Sequence, residues 1–388
     1  MHKGVFKYLN QDKVHFGVPA SEALLEEAIQ RKAQRIFVVT GRSLNRQTDA
    51  VTRAVSQIKD RVVGTFDECI EHTPRQTVLA LAAQVRDARA DLIVSIGGGT
   101  VIDTVKVALV ALAENLTDVD QLDNWHMKMN ADGSRFVPVP RMPPCRQIAV
   151  PTTLSGAEFS DLGGCTDTRL GTKHGFTGDY LGAAAVILDP QMTVHTPDRL
   201  WLSTGIRAVD HAVEALCSVN AQPLIDATSV RALSLLSRSL KAYTGDKNNL
   251  DARLEGQLGA WLAAMSIRRA EYGASHGMGH ALGADAGVPH GITSCVLLPT
   301  VMRFNASVCG AQMAEVAVAM GDASQAAADQ VEALIASLGL PTRLNQLGME
   351  KTRLPIIAQK AMANPWVHTN PRKIASESAL LELLEQAW

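Results

Sequence analysis

The sequence predicts an α/β domain built on a parallel sheet, followed by an all-α domain. In the first part of the 388-residue chain, short apolar runs alternate with amphipathic stretches, which is typical of parallel strands covered by helices. Three consecutive glycines follow the clearest of these runs. After about residue 192 only helical periodicity continues, so we place the two domains at residues 1–192 and 193–388.

Five apolar runs of the first domain are predicted as buried strands, because β-branched residues dominate them and turn residues follow. They span residues 35–40, 62–66, 91–96, 147–150 and 184–188. The helices expected before and between these strands span residues 21–31, 49–58 and 75–89, with Ser21 as the cap of the first helix. The proline-rich residues 116–144 indicate a loop or an edge hairpin, and Lys173 lies in a turn-rich region.

The second domain is rich in alanine and leucine at helical spacing and contains no internal repeat. The predicted helices span residues 197–217, 224–243, 252–270, 276–284, 312–320, 326–338 and 375–388.

Composition argues for an ordinary globular protein that acts on a small molecule. A formal net charge of −2 gives no reason to expect nucleic acid or an anionic membrane as a partner. Six scattered cysteines without a CxxC pair favour reduced thiols over a secreted disulfide framework. No uninterrupted apolar run approaches the roughly 18 residues of a membrane span, and no signal-peptide pattern opens the chain. We therefore expect a cytoplasmic protein.

The glycine triplet, Gly97, Gly98 and Gly99, lies between a strand and a helix that begins near Thr100. Glycines let backbone N–H groups approach a ligand closely, and a helix N-terminus favours phosphate. The pattern is neither the GxGxxG fingerprint nor a Walker loop, and a plain tight turn is the alternative. Asp103 and Lys106, three residues apart in the helix, can form an ion pair without any further role.

A second polar cluster follows the strand at residues 147–150, where Thr152, Thr153 and Ser155 accompany a glycine. Hydroxyl groups at the carboxyl end of a strand suit the ligand crevice of an open α/β sheet. An ordinary polar loop is the alternative.

Residues 275–291 concentrate three histidines among small residues. His276 and His280 are four apart and share one helix face, whereas His290 begins a new element after Pro289. With His211 of an earlier amphipathic helix, His276 and His290 could present nitrogens to one point, as a metal or a polarised carbonyl oxygen requires. Histidines that are merely hydrogen-bonded in a helical core are the alternative.

In order along the chain, the motifs GGGTVIDTVK, PTTLSGAE, HAVE, HGMGH, PHG and NPR resemble the iron-containing (group III) alcohol dehydrogenase family over most of the sequence. The resemblance implies a dehydroquinate synthase-like architecture, with a dinucleotide-binding domain, a helical domain, catalysis in the cleft between them, and a homodimer. It also implies that the glycine triplet holds the cofactor pyrophosphate, with Thr100 and Asp103 of the following helix in the same cofactor site. The PTT segment and Lys173 would line the same cofactor site.

The resemblance carries three metal ligands over to His211, His276 and His290, and it makes His280 a proton relay beside the nicotinamide. The fourth ligand, an aspartate, is expected four residues before His211, where this chain has Arg207. A guanidinium cannot bind a cation, and the neighbouring Asp210 points about 100° away on a helix. We therefore expect an enzyme that works without Fe²⁺ or Zn²⁺.

Loss of the aspartate partially resembles the maleylacetate reductases, which act on a dicarboxylate without a metal and have a neutral residue at the position of Arg207. A fixed cation there could grip a substrate carboxylate or stabilise a developing alkoxide. A surface or interface ion pair is the alternative for Arg207.

We thus predict an NAD(P)-dependent oxidoreductase that transfers hydride between nicotinamide and an alcohol or carbonyl carbon, with a carboxylate-bearing substrate. The alternatives are a metal-dependent alcohol dehydrogenase, a dehydroquinate synthase-like lyase, and a non-catalytic binding protein. The strand at residues 35–40 is followed by Gly41, Arg42 and Ser43, with no acid in reach that would select the ribose 2′-hydroxyl of NAD. Arg42 and Ser43 could accept a 2′-phosphate, so we expect NADPH to serve at least as well as NADH.

Overall fold

The computed structural model describes residues 5–130 and 134–388. These residues divide into two compact units, one consisting of residues 8–195 and the other of residues 196–388 together with residues 5–7. The first unit contains the sheet, and the second is helical. The predicted class, an α/β unit followed by an all-α unit, is therefore confirmed.

The first unit contains all the strands that the described residues form. They are β1 (Lys13–Phe16), β2 (Ile36–Thr40), β3 (Val62–Phe66), β4 (Leu92–Gly97), β5 (Lys128–Met129), β6 (Arg135–Phe136), β7 (Arg146–Pro151), β8 (Leu162–Asp167), β9 (Thr172–Thr177) and β10 (Ala185–Leu188). Six strands form a parallel sheet in the order β1–β10–β7–β4–β2–β3, whereas β5–β6 and β8–β9 are antiparallel pairs. The five predicted strands are confirmed to within one residue, and the short edge strand β1 was missed.

Helices cover both faces of this sheet, which explains why its central strands are apolar on both sides. They are α1 (Ala20–Gln30), α2 (Arg42–Gln47), α3 (Ala50–Ala54), α4 (Arg75–Asp87) and α5 (Gly99–Ala113). Along β2, Ile36 and Val38 pack in the core shared with α1 and α3. Phe37 and Val39 point to the opposite face, into the core with α4 and α5.

The helical unit contains α6 (Asp198–Leu216), α7 (Pro223–Gly245), α8 (Leu250–Ala264), α9 (Ala274–Ala286), α10 (His290–Asn305), α11 (Gly310–Met320), α12 (Ala327–Ser337), α13 (Leu354–Met362), α14 (Pro365–His368) and α15 (Glu377–Gln386). Among the described residues, every helix is too short or too polar to cross a membrane.

Several local predictions were wrong. The helix α1 begins at Ala20, so Ser21 does not cap it; the Ala20 N–H donates instead to Asp189 Oδ2 at 2.8 Å. Lys173 lies in β9 and not in a turn, because β8 and β9 pair although both strands are rich in glycine and polar residues. The helix predicted at 252–270 ends at Ala264.

Candidate functional site

The predicted cofactor residues come together at the carboxyl edge of the parallel sheet. The chain leaves β2 towards β3 and leaves β4 in the opposite direction, towards β7, so the strand order reverses between β2 and β4. Ligands of open α/β sheets bind outside the carboxyl ends of strands at such a reversal. Gly41, Arg42 and Ser43 follow β2, and the glycine triplet follows or ends the adjacent β4. Thr152, beyond the end of β7, donates its N–H to the Gly97 carbonyl at 3.1 Å.

The glycines of the triplet are needed for close approach and not for unusual dihedral angles. Gly98 has φ −84° and ψ −170°, which other residues adopt readily. However, a Cβ at Gly98 would lie 2.9 Å from Thr153 Cγ2, and one at Gly99 would lie 3.2 Å from Ser155 Oγ. Within residues 5–130 and 134–388 no side chain caps α5, so its first backbone N–H groups are suited to a phosphate.

The predicted ion pair in α5 is confirmed, and it has a structural role. Lys106 is fully buried, and its Nζ lies 3.2 Å from Asp103 Oδ1. The same ammonium donates to the carbonyl oxygens of Ala157 and Leu162, at 2.6 and 2.8 Å. Asp103 Oδ2 accepts the Gly164 N–H at 3.1 Å. These bonds hold α5 to the turn after β7 and to β8, so the geometry of Asp103 is explained without a cofactor.

Lys173 extends across β8 beside this pair. A Cβ at Gly164 would lie 2.4 Å from Lys173 Cε, so the glycine makes room for the lysine stem. The Lys173 residue is exposed, which leaves its ammonium accessible to an anionic ligand.

One expectation at this edge requires correction, because an acid does lie beside the residues that follow β2. Asp67, directly after β3, accepts hydrogen bonds from Arg46 Nε at 2.7 Å and from Asn45 Nδ2 at 3.0 Å. The hydrogen bond from Arg46 holds the pKa of Asp67 at about 2. Arg42 and Ser43 are exposed at the start of the same helix, α2. Asp67 follows β3, so the residues after β2 could not indicate that an acid lies beside them.

In the helical unit, the candidate catalytic residues come from three helices. Arg207, Asp210, His211 and Glu214 lie on α6 at spacings that place them on one face. The helix α9 carries His276 and His280, whereas α10 begins at His290 as predicted. The N-terminus of α10 packs directly on α6, because a Cβ at Gly291 would lie 2.6 Å from the Ser203 carbonyl oxygen.

The four predicted histidines form two neighbouring ring pairs. The rings of His211 and His276 stack at a centroid distance of 5.0 Å, and Tyr272 stacks on both at 5.4 and 4.1 Å. The His280 ring lies 5.4 Å from the His290 ring. Burial lowers the pKa of His211 well below its ordinary value, and His276 and Arg207 lower it further, so His211 is neutral at neutral pH. His290, by contrast, is exposed.

Arg207 is a buried member of this cluster, so the surface-pair interpretation is wrong. The residue is 8% exposed, and its Nη1 donates to Ser294 Oγ at 3.0 Å and lies 3.4 Å from Asp210 Oδ2. Burial lowers the pKa of Arg207 and Asp210 opposes this, but a guanidinium keeps its charge in proteins. Both hydrogen bonds of the Arg207 side chain use Nη1, so within the described residues Nη2 and Nε remain open to a ligand.

Asp210 supplies the counter-charge to Arg207. It is fully buried, and its Oδ2 accepts hydrogen bonds from Ser275 Oγ at 2.9 Å and Ser294 Oγ at 2.6 Å. Burial alone would raise the pKa of Asp210, but His276 and Arg207 hold it below its ordinary value. The carboxylate is therefore ionised and engaged through Oδ2, whereas Oδ1 is buried without a hydrogen-bond partner among the described residues.

Two further residues complete the cluster, and the sequence analysis did not single them out. Glu214, the last residue of the HAVE motif, accepts a hydrogen bond from His276 Nδ1 at 2.7 Å. Trp366 lies edge-on to His276 at 5.6 Å and 4.7 Å from the His280 ring. The signal for Glu214 was its place one turn after His211 in the motif, whereas Trp366 carried no local signal.

The set of possible metal donors in this cluster differs from the one that the resemblance implies. Asp210, Glu214 and His276 do place one possible ligand atom each within 4.8 Å of one another. However, both carboxylates face the Nδ1 side of His276 and accept hydrogen bonds from serine, backbone or imidazole. A buried guanidinium stands beside them, where the resemblance places the anionic ligand.

Comparison with known proteins assigns the chain to a family. The family description "Iron-containing alcohol dehydrogenase" matches residues 11–190, and its C-terminal counterpart matches residues 201–388. Long-chain-alcohol dehydrogenase 1 of Geobacillus thermodenitrificans is 31% identical over 90% of this chain and 88% of its own length. Maleylacetate reductase 1 of Rhodococcus opacus is 30% identical over 98% of this chain and 95% of its own.

Among solved structures, 1,3-propanediol oxidoreductase superposes with a TM-score of 0.88 at 26% identity, covering 99% of this chain and 100% of that one. These matches confirm the predicted resemblance and do not favour the lyase or the non-catalytic alternative. The chain belongs to the iron-containing alcohol dehydrogenase family and is an NAD(P)-dependent oxidoreductase.

Proposed function

We propose that this enzyme reduces the carbonyl group of a small, carboxylate-bearing substrate with NADPH or NADH, without a bound metal. The observation that carries the proposal is the buried guanidinium of Arg207, which has open donors among the clustered histidines. Membership in a family named for iron by itself favours a metal. The charge at position 207 of this chain is the observation against it.

The size of the charge effect decides between these two arguments. Replacing an anionic ligand by a guanidinium changes the charge of the site by two units. At about 4 Å and an effective dielectric constant of about 20, each pair of unit charges interacts by roughly 4 kcal/mol. Arg207 therefore disfavours a divalent cation beside it, although the carboxylate of Asp210, 3.4 Å from Nη1, offsets part of this repulsion.

A carboxylate is the ligand chemistry that such a site selects. Arginine pairs with a carboxylate through two parallel N–H donors, and Nη2 and Nε offer that fork here. The similarity to a maleylacetate reductase supports an anionic carbonyl substrate. The runner-up is a metal-dependent alcohol dehydrogenase, which the similarity to a long-chain-alcohol dehydrogenase favours.

The reaction requires the protein to hold the carbonyl, shield it from water and supply one proton. The nicotinamide provides the hydride. His280 is our candidate proton donor to the resulting alkoxide; it is half-buried, and its Nδ1 lies 3.4 Å from Asn364 Nδ2. Arg207 stabilises the negative charge of the substrate, and His211, His276 and His290 supply the other polar groups of the cluster.

For the cofactor, we propose that Arg42 and Ser43 accept a ribose 2′-phosphate, with Arg46 nearby on the same helix. Asp67 is neutralised by its ion pair with Arg46 and therefore discriminates weakly against a phosphate. We further propose that the enzyme is a cytoplasmic homodimer without nucleic-acid or membrane partners.

Metal analysis of the purified protein, combined with activity before and after EDTA, tests the central proposal. We expect well under one metal per chain and unchanged reduction of oxo-acids, with the corresponding uncharged aldehydes reduced less efficiently. Arg207→Asp should raise Zn²⁺ affinity and weaken oxo-acid reduction. Arg199→Asp makes the same change at an exposed position of the same helix and is the matched control. Stoichiometric metal that EDTA removes together with activity would refute the proposal in favour of the runner-up.

A further inference from the structure

Glu214 makes more hydrogen bonds than a core carboxylate needs for its own burial. It is 5% exposed and faces the N-terminus of α9. Its two oxygens accept the backbone N–H groups of Gly273, Ser275 and His276, at 2.9, 2.8 and 3.3 Å. The remaining N–H of this turn, from Ala274, goes to Asn370 Oδ1 of the NPR motif at 3.0 Å. The start of α9 is thus fully capped.

A fourth contact separates Glu214 from an ordinary helix cap. Its Oε2 also accepts a hydrogen bond from Nδ1 of the His276 ring, at 2.7 Å. A second carboxylate, that of Asp210, lies 3.6 Å from the same nitrogen. An ionised carboxylate can only accept, so a ring hydrogen resides on Nδ1, and in the neutral form of the ring the lone pair is on Nε2.

The ring of His276 has no freedom to exchange its two nitrogens. Tyr272 and His211 stack against it, with interplanar angles of 19° and 29°, and Trp366 meets it edge-on at 90°. Among the described residues, Nε2 is buried and has no hydrogen-bond partner. A buried acceptor left open in a clamped ring points to a ligand that donates to it.

We propose that Glu214 is a positioning residue that fixes the tautomer of His276, so that Nε2 accepts a hydrogen bond from the hydroxyl group of the alcohol. The identification of the donor as an alcohol rests on the proposed function; the tautomer does not. In the reducing direction the carbonyl carbon receives the hydride, the resulting alkoxide oxygen receives a proton from a separate donor, and the new O–H group then donates to Nε2. In the oxidising direction the same contact orients the alcohol before its hydride leaves.

Substitution by glutamine separates this role from helix capping. Glu214→Gln keeps one oxygen for backbone N–H groups but offers an amide N–H₂ group as a donor. Oε2, which faces Nδ1, also accepts the Gly273 and His276 N–H groups, so an amide N–H₂ group at this place gives up those two bonds. In that orientation it favours the opposite tautomer, with the hydrogen on Nε2, which then cannot accept from a hydroxyl. Glu214→Asp retains the acceptor chemistry over a shorter reach.

The test is ¹⁵N NMR at fixed pH on the full chain labelled at histidine, with His276→Gln used to assign the signals. We expect a protonated Nδ1 for His276 in the wild type and in Glu214→Asp, and a protonated Nε2 in Glu214→Gln. The turnover of Glu214→Gln should fall by at least about tenfold, as expected for loss of a carboxylate partner of a functional histidine, with the cofactor Kd unchanged. Glu271→Gln, close to the same helix but without a side-chain hydrogen bond in the described residues, is the control.

If Glu214→Gln keeps the hydrogen on Nδ1 while losing thermal stability, Glu214 is only a helix cap and the proposal is overturned. A wild-type Nε2 signal shifted by stoichiometric Zn²⁺ would overturn the hydroxyl contact and the metal-free function together. Failure to reduce any oxo-acid would remove the proposed function while leaving the tautomer result to decide the role of Glu214.

Discussion

The two candidate regions are built on opposite principles. At the carboxyl edge of the sheet, the candidate ligand site is formed by glycines, which have no side chain. Their loop packs against Thr153 and Ser155. In the histidine cluster, the site consists of side chains that three helices bring together across residues 207–294. A site made of backbone groups depends on the shape of the loop, and its N–H donors remain the same when side chains change. A site made of side chains can change its chemistry through one residue, as Arg207 illustrates.

The largest expected effect lies in the cluster, at His280. If a side chain supplies the proton, His280→Ala should lower kcat by about 10²- to 10⁴-fold, the usual contribution of general acid catalysis. The cofactor Kd, measured by fluorescence titration of NADPH, should remain within about twofold of the wild type. If the affinity for the cofactor were lost instead, His280 would have a structural role and would not be the proton donor. The two regions would then differ less in how they work.

The second-largest effect is expected at Gly291, where the histidine cluster depends on close packing of α10 against the backbone of α6. Gly291→Ala places a methyl group 2.6 Å from the Ser203 carbonyl oxygen. Overpacking of this kind typically costs about 1–3 kcal/mol of unfolding free energy, which urea denaturation would report. Gly310→Ala, at the first position of α11 with open space around it, is the control and should be neutral or stabilising. Equal stability of the two variants would mean that α10 shifts freely on α6.

At the sheet edge, Gly98→Ala should act on cofactor binding. The added methyl group lies 2.9 Å from Thr153 Cγ2, so the loop must move away from the position that suits a phosphate. We expect the cofactor Kd to rise about tenfold, equivalent to about 1.4 kcal/mol. Gly182→Ala, in the same unit and with only ordinary contacts, is the matched control. An unchanged Kd would show that this loop does not hold the cofactor.

The smallest effect is expected at Arg42, because it is exposed. Arg42→Ala should weaken NADPH binding by up to about fivefold, consistent with the 0–1 kcal/mol of an exposed ion pair, and leave NADH binding unchanged. A wild-type preference for NADH of more than about tenfold, or 1.4 kcal/mol, would contradict the cofactor proposal itself.

The buried strands could be predicted from the sequence because their apolar, β-branched runs are continuous and end at turn residues. The hairpin of β8 and β9 could not, since its strands alternate glycine with polar side chains such as Lys173. The helix α10 was recognised only at its beginning, His290, because Pro299 interrupts its helical pattern. Contacts with residues distant in the sequence determine the structure of these elements, so local periodicity did not predict them.

Within the candidate site, the histidines were predictable because their type and spacing carry chemistry. The roles of Asp210 and Glu214 were not, because a carboxylate on a helix shows neither its partner nor its burial. Asp67 escaped for the same reason, since it reaches α2 from the end of a different strand. What sequence reasoning missed is therefore the set of residues that act through contacts with other side chains.

The ion pair of Arg207 and Asp210 has an evolutionary consequence. A reversal of residue 207 to aspartate would leave two buried carboxylates one helical turn apart, and their repulsion would destabilise the protein whenever no cation lies between them. A single substitution at residue 207 would therefore lower the stability of the protein unless a metal is available when the change occurs. A second change at residue 210 would remove this repulsion, so the two positions constrain each other.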